Sequence, residues 1–381
     1  MRLRGALMHL GVLWVAVVLF ATPTDVQSQR PMASEKRSPI PEREQSGQPP
    51  VQAPVPWVNV HVHLVAGRGA RQDYAGAVDA ALREMDRFGI ATTIVLPPPQ
   101  VDAQATHDAA DFASALRRHP GRFAYLGGGG VLNPVIHRYA DPARITDSVK
   151  REFVAAAERI IDGGGAGFGE MASLHISHAS EHPYEFVPAD HPLFRVLADI
   201  AARRDVPIDL HMDAVEGQMP TPSHLARYAN PPTLPDTMGA LARLLAYNPK
   251  AKIVWAHGGS DPLGAMTAAA IGRLMDAHGN LFVSLRIPPA QAPVHNKALT
   301  GAGLDPEWQE MFTHHADRFV IGTDAFIVSP SVRGRGPGIS FAEKNVPAFH
   351  ATVRLLSLLP SELARKIGRE NAIRLYKLPA Q

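Results

Sequence analysis

Two histidines one residue apart, His61-Val62-His63, are the first part of this chain that could do chemistry. Alternate residues of an extended strand point to the same side. The two imidazoles can therefore share one ion at bond lengths of about 2.0–2.1 Å. Four later apolar runs each end in a metal-ligand type: Glu170, His211, His257 and Asp324. There is no cysteine, which excludes disulfides, thiolate sites and thiol nucleophiles. Any metal must then be held by imidazole and carboxylate, and His61, His63, His211 and Asp324 are the expected ligands. Such donors suit a divalent transition metal. Zn2+ is the first expectation, with Mn2+, Fe2+ or Co2+ as alternatives.

These side chains need a scaffold that brings distant positions to one place. Strand-like runs cover Trp57–Leu64, Ile90–Leu96, Arg122–Leu126, Ala166–Met171, Pro207–Met212, Ala251–His257, Asn280–Ile287 and Arg318–Asp324. Helical patterns separate them: Tyr74–Arg87, His107–Arg118, Asp147–Asp162, Pro192–Arg203, Leu234–Ala246, Leu263–His278 and Pro306–His315. Ala342–Leu359 and Ser361–Tyr376 supply an eighth helix and a C-terminal cap. Continuous apolar runs such as Ile253-Val254-Trp255-Ala256 suit a parallel sheet buried on both faces. Eight strands alternating with helices predict a single α/β domain, a closed (β/α)8 TIM barrel over residues 57–378. In such a barrel the C-terminal ends of the strands converge on one mouth, and that is where the ligand-type residues fall.

The runs Val-Asn-Val-His-Val-His, Gly-Phe-Gly-Glu, Ile-Asp-Leu-His, Val-Trp-Ala-His-Gly-Gly and Val-Ile-Gly-Thr-Asp-Ala-Phe resemble strand-end motifs of the amidohydrolase superfamily. More narrowly, their order resembles the amidohydrolase-related branch of hydrolases, lactonases and the aminocarboxymuconate-semialdehyde and resorcylate decarboxylases. The closing Glu370-Asn371-Ala372-Ile373-Arg374-Leu375-Tyr376 is similar to that branch's C-terminal helix. The resemblance implies that His61, His63, His211 and Asp324 bind the metal. It implies that His257 polarises the substrate or shuttles a proton, and that Asp324 also takes a proton from activated water. It leaves two roles for Glu170: a bridge between two metals, or an orienting or substrate contact beside one. One ion is the preferred expectation and two the alternative.

Arg286, ending the seventh strand, has two readings: a salt-bridged rim residue, or a clamp for a substrate carboxylate, whose two oxygens the guanidinium fork matches. Arg333 and Arg335 are read as solvated, and His175 and His178 as exposed loop histidines, with a place lining the mouth as their alternative. No Walker-type or Rossmann-type glycine loop, G-x-S-x-G elbow or H-E-x-x-H helix is present. With 38 basic and 36 acidic residues, the net charge of +2 gives no footprint for nucleic acid.

At the N-terminus, Arg2 and Arg4 precede an apolar run from Gly5 to Ala21, and Val26-Gln27-Ser28 offers a small-residue cleavage site. Residues 1–28 are expected to be a signal peptide, or an uncleaved membrane anchor, placing the domain in the periplasm or outside the cell. Residues 29–56, rich in Pro, Gln and Glu, are expected to be a disordered linker. Removing everything before about Pro54 should therefore leave a folded domain. A melting temperature many degrees lower after truncation would contradict this.

The expected activity is metal-dependent hydrolysis of an amide, ester or lactone in a small substrate. Decarboxylation of an aromatic or unsaturated acid is the alternative, and a non-catalytic metal-binding barrel comes third. A homodimer is the expected assembly if the chain associates.

Overall fold

The computed structural model describes residues 53–67, 72–101, 107–179, 182–334 and 337–379. The predicted leader and most of the linker lie outside them, as does Arg335. Eight parallel strands close into a barrel. In chain order they are β1 (Trp57–Val65), β2 (Ile90–Val95), β3 (Phe123–Tyr125 and Gly127–Gly128), β4 (Phe168–His175), β5 (Pro207–Met212), β6 (Lys252–Gly258), β7 (Leu281–Leu285) and β8 (Phe319–Ile321 and Ala325–Val328). Each pairs with the next, and β8 pairs back onto β1 through Asn59 opposite Ile321. The two pieces of β3 complete the ring, the first bonding to β2 and the second to β4.

A helix follows every strand: α1 (Tyr74–Phe88), α2 (Ala109–Leu116), α3 (Asp147–Asp162), α4 (Pro192–Arg204), α5 (Met238–Tyr247), α6 (Ala268–Ala277), α7 (Pro306–His314) and α8 (Asn345–Leu358). Their limits follow local chemistry. Asp73 caps α1 by accepting from the Gly76 N–H at 2.8 Å, and Gly89 ends that helix in the left-handed region at φ 70°. Thr146 and Thr267 cap α3 and α6, while Pro192 and Pro306 open α4 and α7 where a missing N–H costs nothing.

The expected elements are all present, with shifted ends. Strand β4 runs on to His175 rather than stopping at Met171. Strand β8 is broken, so Asp324 lies in the gap between its two pieces with φ 54°. Helix α5 starts at Met238 instead of Leu234, because Thr233–Leu234 forms a short ladder with Met219–Pro220. The expected C-terminal helix is three consecutive pieces: Ser361–Arg365, a π-helical turn at Lys366–Glu370, and Asn371–Tyr376.

The larger core lies between strands and helices, with Trp57, Phe88, Phe168, Phe194, Trp255 and Phe312 almost wholly buried. A second cluster joins Val58, Val60, Ile94, Leu96, Leu126, Val254 and Val320 to Ala372, Leu375 and Tyr376. Strands from opposite sides of the ring can meet only inside it. This cluster is therefore the barrel floor, sealed by the C-terminal segment. The β1–β2 ladder is irregular between Asn59 and Val62. Such an irregularity re-aims side chains, and here it lets His61 face inward although Val60 also packs on the floor.

Candidate metal centre

The imidazoles of His61 and His63 sit above that floor, 5.0 Å apart and nearly perpendicular. Both are buried. His63 Nδ1 lies 2.9 Å from the Leu96 carbonyl, which fixes the proton on Nδ1 and leaves the Nε2 lone pair facing the centre. His61 Nδ1 lies 3.3 Å from Asp209, with the same consequence.

Glu170 is the hub. Its Oε2 lies 3.4 Å from His61 Nε2 and 3.3 Å from His63 Nε2. Its Oε1 lies 2.8 Å from His211 Nδ1 and 3.3 Å from His257 Nε2. Each carboxylate oxygen thus faces two imidazole nitrogens. A hydrogen bond from its own N–H to the Pro97 carbonyl, at 3.1 Å, holds Glu170 at this level.

Asp324 completes the ring. Its Oδ1 lies 3.3 Å from His63 Nε2 and 3.9 Å from His61 Nε2, while its Oδ2 faces Arg286 Nη1 at 3.2 Å. The break in β8 is what aims it. Asn59 donates from Nδ2 to Thr323 Oγ1 and accepts from the Thr323 N–H, and Asp324 N–H donates to the His61 carbonyl. Gly322 is required beside it, since an added Cβ would meet Ser284 Oγ at 2.0 Å and His61 Cβ at 2.9 Å. His257 also has a left-handed backbone, at φ 70°. Non-glycine residues held this way are costly and cluster at functional positions.

The electrostatics call for a cation. Burial alone would depress His61, His63 and His211, yet nearby carboxylates overturn it: Asp209 and Glu170 raise His61, Asp324 and Glu170 raise His63, and Asp213 with Glu170 lifts His211 to about 10. Burial would raise Asp324, but Arg286 and then His257 hold it well below the ordinary carboxylate range. The buried His61 Nε2 has no hydrogen-bond partner. A divalent cation among these atoms would satisfy that nitrogen and replace protons the carboxylates otherwise keep on the imidazoles. Its affinity must then fall as pH drops. Three sets of ligand atoms lie close enough to hold an ion here: His61, His257 and Asp324; His61, His63 and Glu170; and Glu170, His211 and His257.

All the expected site residues come together: His61, His63, Glu170, His211, His257, Arg286 and Asp324. His175 departs from its reading as an exposed loop residue, because its ring packs 4.5 Å from His211 and 4.2 Å from His182. His178 is exposed, and Arg333 is exposed with its guanidinium turned onto its own loop's carbonyls.

Asp209 and Asp213 were not singled out from the sequence. With His211 they form an alternating row along and just beyond β5, Asp209 beneath His61 and Asp213 Oδ2 3.8 Å from His211 Nε2. The sequence does carry a signal, since Ile-Asp-Leu-His-Met-Asp interrupts an apolar buried strand at every second position. Glu185 was also missed. It is buried opposite His175, and burial pushes its carboxyl up to about 8.

Asp209→Asn is expected to weaken metal binding about 10–100-fold, as lost orienting carboxylates do, while the domain still folds. Competition with a chromogenic chelator measures this, and unchanged affinity would remove Asp209 from the site.

Among solved structures, a putative amidohydrolase from Staphylococcus aureus is 13% identical, with 86% of this chain and 100% of that chain covered and a TM-score of 0.47. The organophosphorus hydrolase from Deinococcus radiodurans is 16% identical, with 85% and 93% covered and a TM-score of 0.49. A 2,6-dihydroxybenzoate decarboxylase is 16% identical, with 85% and 100% covered and a TM-score of 0.46. Likenesses this remote say nothing about the reaction. No curated protein matches the chain. The sequence model of the amidohydrolase family matches residues 58–378, almost the whole barrel, and the chain belongs to that family.

Proposed function

We propose that this amidohydrolase-family enzyme is a hydrolase, acting on an amide, ester or lactone of a small substrate with two divalent ions bridged by Glu170. The observation that carries the two-ion reading is the hub geometry, in which each oxygen of one buried carboxylate faces two imidazole nitrogens. A single ion, the preferred expectation from sequence, would leave one of those pairs without a purpose. His61, His63 and Asp324 would hold one ion with Glu170 Oε2, and His211 and His257 the other with Glu170 Oε1. Bound there, divalent cations supply Lewis acidity, which acidifies water and polarises a carbonyl oxygen.

The chain's own residues do the rest. Asp324 accepts the proton of the attacking water and returns it to the leaving nitrogen or oxygen as the acyl bond breaks. Arg286 keeps that carboxylate ionised and presents its remaining N–H groups to an anionic group of the substrate. Beside the centre, His211, Asp213, His257, Ser260 and Asp261 line a small recess of mixed polarity.

We further propose that the domain works outside the cytoplasm. The support is the Arg2–Arg4 and Gly5–Ala21 pattern, which lies outside the described residues. Among the described residues no helix is long and apolar enough to cross a membrane.

Elemental analysis followed by a screen of lactones, esters, amides and aryl carboxylic acids tests the reading. Two metals with turnover of an acyl substrate is the expected result. Carbon dioxide release from an aryl acid, with no acyl substrate turned over, would overturn it in favour of decarboxylation.

A further inference from the structure

A second group of metal-ligand side chains lies far from the mouth. Asp276 is the penultimate residue of α6, His314 is the last residue of α7, and His315 follows it as the helix cap. The helices of a barrel run opposite to its strands, so these helix ends lie at the face where strands begin, about a strand's length of 15–20 Å from the centre. His314 Nε2 lies 3.7 Å and His315 Nε2 3.4 Å from the same oxygen, Asp276 Oδ1. Ligand atoms of the three residues all fall within 4.8 Å of one another. The two rings are 4.6 Å apart at 89°, so neither imidazole stacks on the other.

Two features separate this group from an ordinary surface ion pair. Neither imidazole sits at the roughly 2.7–3.2 Å usual for an N–H···O bond to the carboxylate, His315 lying a little beyond it and His314 further out. The nearer of the two distances, 3.4 Å, matches the 3.3–3.4 Å between Glu170 Oε2 and the paired histidines of the mouth. A tetrahedral ion with bonds of about 2.0–2.2 Å sets its ligands roughly 3.3–3.6 Å apart, which the His315 distance meets and the His314 distance narrowly exceeds. The site is also reachable, with the His314 and Asp276 side chains 72% and 64% exposed.

We infer that Asp276, His314 and His315 form a separate transition-metal site that clips α6 to α7 on the face opposite the mouth. Two imidazoles and one carboxylate select a borderline cation such as Zn2+, Ni2+ or Cu2+ over Mg2+ or Ca2+, which prefer all-oxygen shells. Water completes the coordination on the open side. The ion joins the C-terminal ends of two neighbouring helices, so its effect is on stability. The inference does not depend on the reaction or on the number of ions at the mouth.

The test is Zn2+ binding to the full chain by equilibrium dialysis at micromolar free zinc, with elemental analysis and a parallel melting curve. Wild type is expected to hold one ion per chain more than His314→Gln/His315→Gln, and zinc is expected to raise the melting temperature of wild type by a few degrees more than that of the double variant. Asp276→Asn should lose the same extra ion. Asp276 is exposed, so Asp276→Asn should melt like wild type without added zinc; His315 is largely buried, its side chain 11% exposed, so the double variant's own melting temperature without zinc is the baseline for its zinc shift. Equal zinc content in wild type and double variant overturns the site. An extra ion that survives Asp276→Asn overturns the three-ligand clip and leaves a histidine pair alone.

Discussion

Glu170→Ala is expected to reduce the metal content from about two ions per chain to one or fewer and to abolish turnover. The reason is charge. Two doubly charged ions about 4 Å apart repel by on the order of 15 kcal/mol at an effective dielectric near 20. That exceeds the whole folding stability of many domains. A shared anion is what makes such a pair tolerable, and Glu170 is the carboxylate in contact with all four histidines of the centre. Remove it, and the four imidazoles keep their positions on β1, β5 and β6 but lose the neutralising charge. Elemental analysis after dialysis against a mild chelator, with a circular-dichroism check of folding, measures the effect. If Glu170 instead orients a single ion, wild type should hold about one metal, and the variant should still bind it about 10–100-fold more weakly. That pattern would end the two-ion proposal without touching the family assignment.

How far the site could be read from sequence depends on which interactions place each residue. Strand-end positions were legible because period and sequence order alone carry them. A histidine two residues after another on a strand faces the same way, and an apolar run ending in Asp or His at the eighth repeat must reach the mouth. Features set by contacts across the barrel were not legible. The break in β8 depends on Asn59 pairing with Thr323, 264 residues later. Asp209 belongs to the site only because β5 places it beneath His61, 148 residues away. The inward turn of His61 depends on a ladder irregularity that no periodicity in Val-Asn-Val-His-Val-His announces. The apolar run Ala166–Met171 leaves His175 outside the strand, because Ala172 and Ser173 interrupt it before Leu174. The strand continues because Glu185–Phe186 pairs with its end.

Asp324→Asn is expected to lower turnover by about 10²–10⁴-fold, the usual share of a positioned acid–base group, while most of the metal is retained. The two oxygens of Asp324 have separate surroundings. Oδ1 faces His63 and His61 on the ligand side, and Oδ2 faces Arg286. An asparagine keeps one oxygen that can still coordinate, and Glu170 with the two histidines remains in place, so the ion stays. What is lost is the ability to take a proton and the negative charge that holds Arg286. The amide nitrogen would point N–H groups at a guanidinium that has only donors to offer, so Arg286 should swing away from the mouth as well. The loss should therefore appear mainly in kcat for a neutral substrate, and in both kcat and KM for one whose anionic group Arg286 binds. Arg286→Ala separates the two effects: it removes the guanidinium but leaves the carboxylate, so it should raise KM for the anionic substrate with a much smaller change for the neutral one. Asp324→Asn activity within tenfold of wild type, at equal metal content, would take the proton-transfer role away from Asp324.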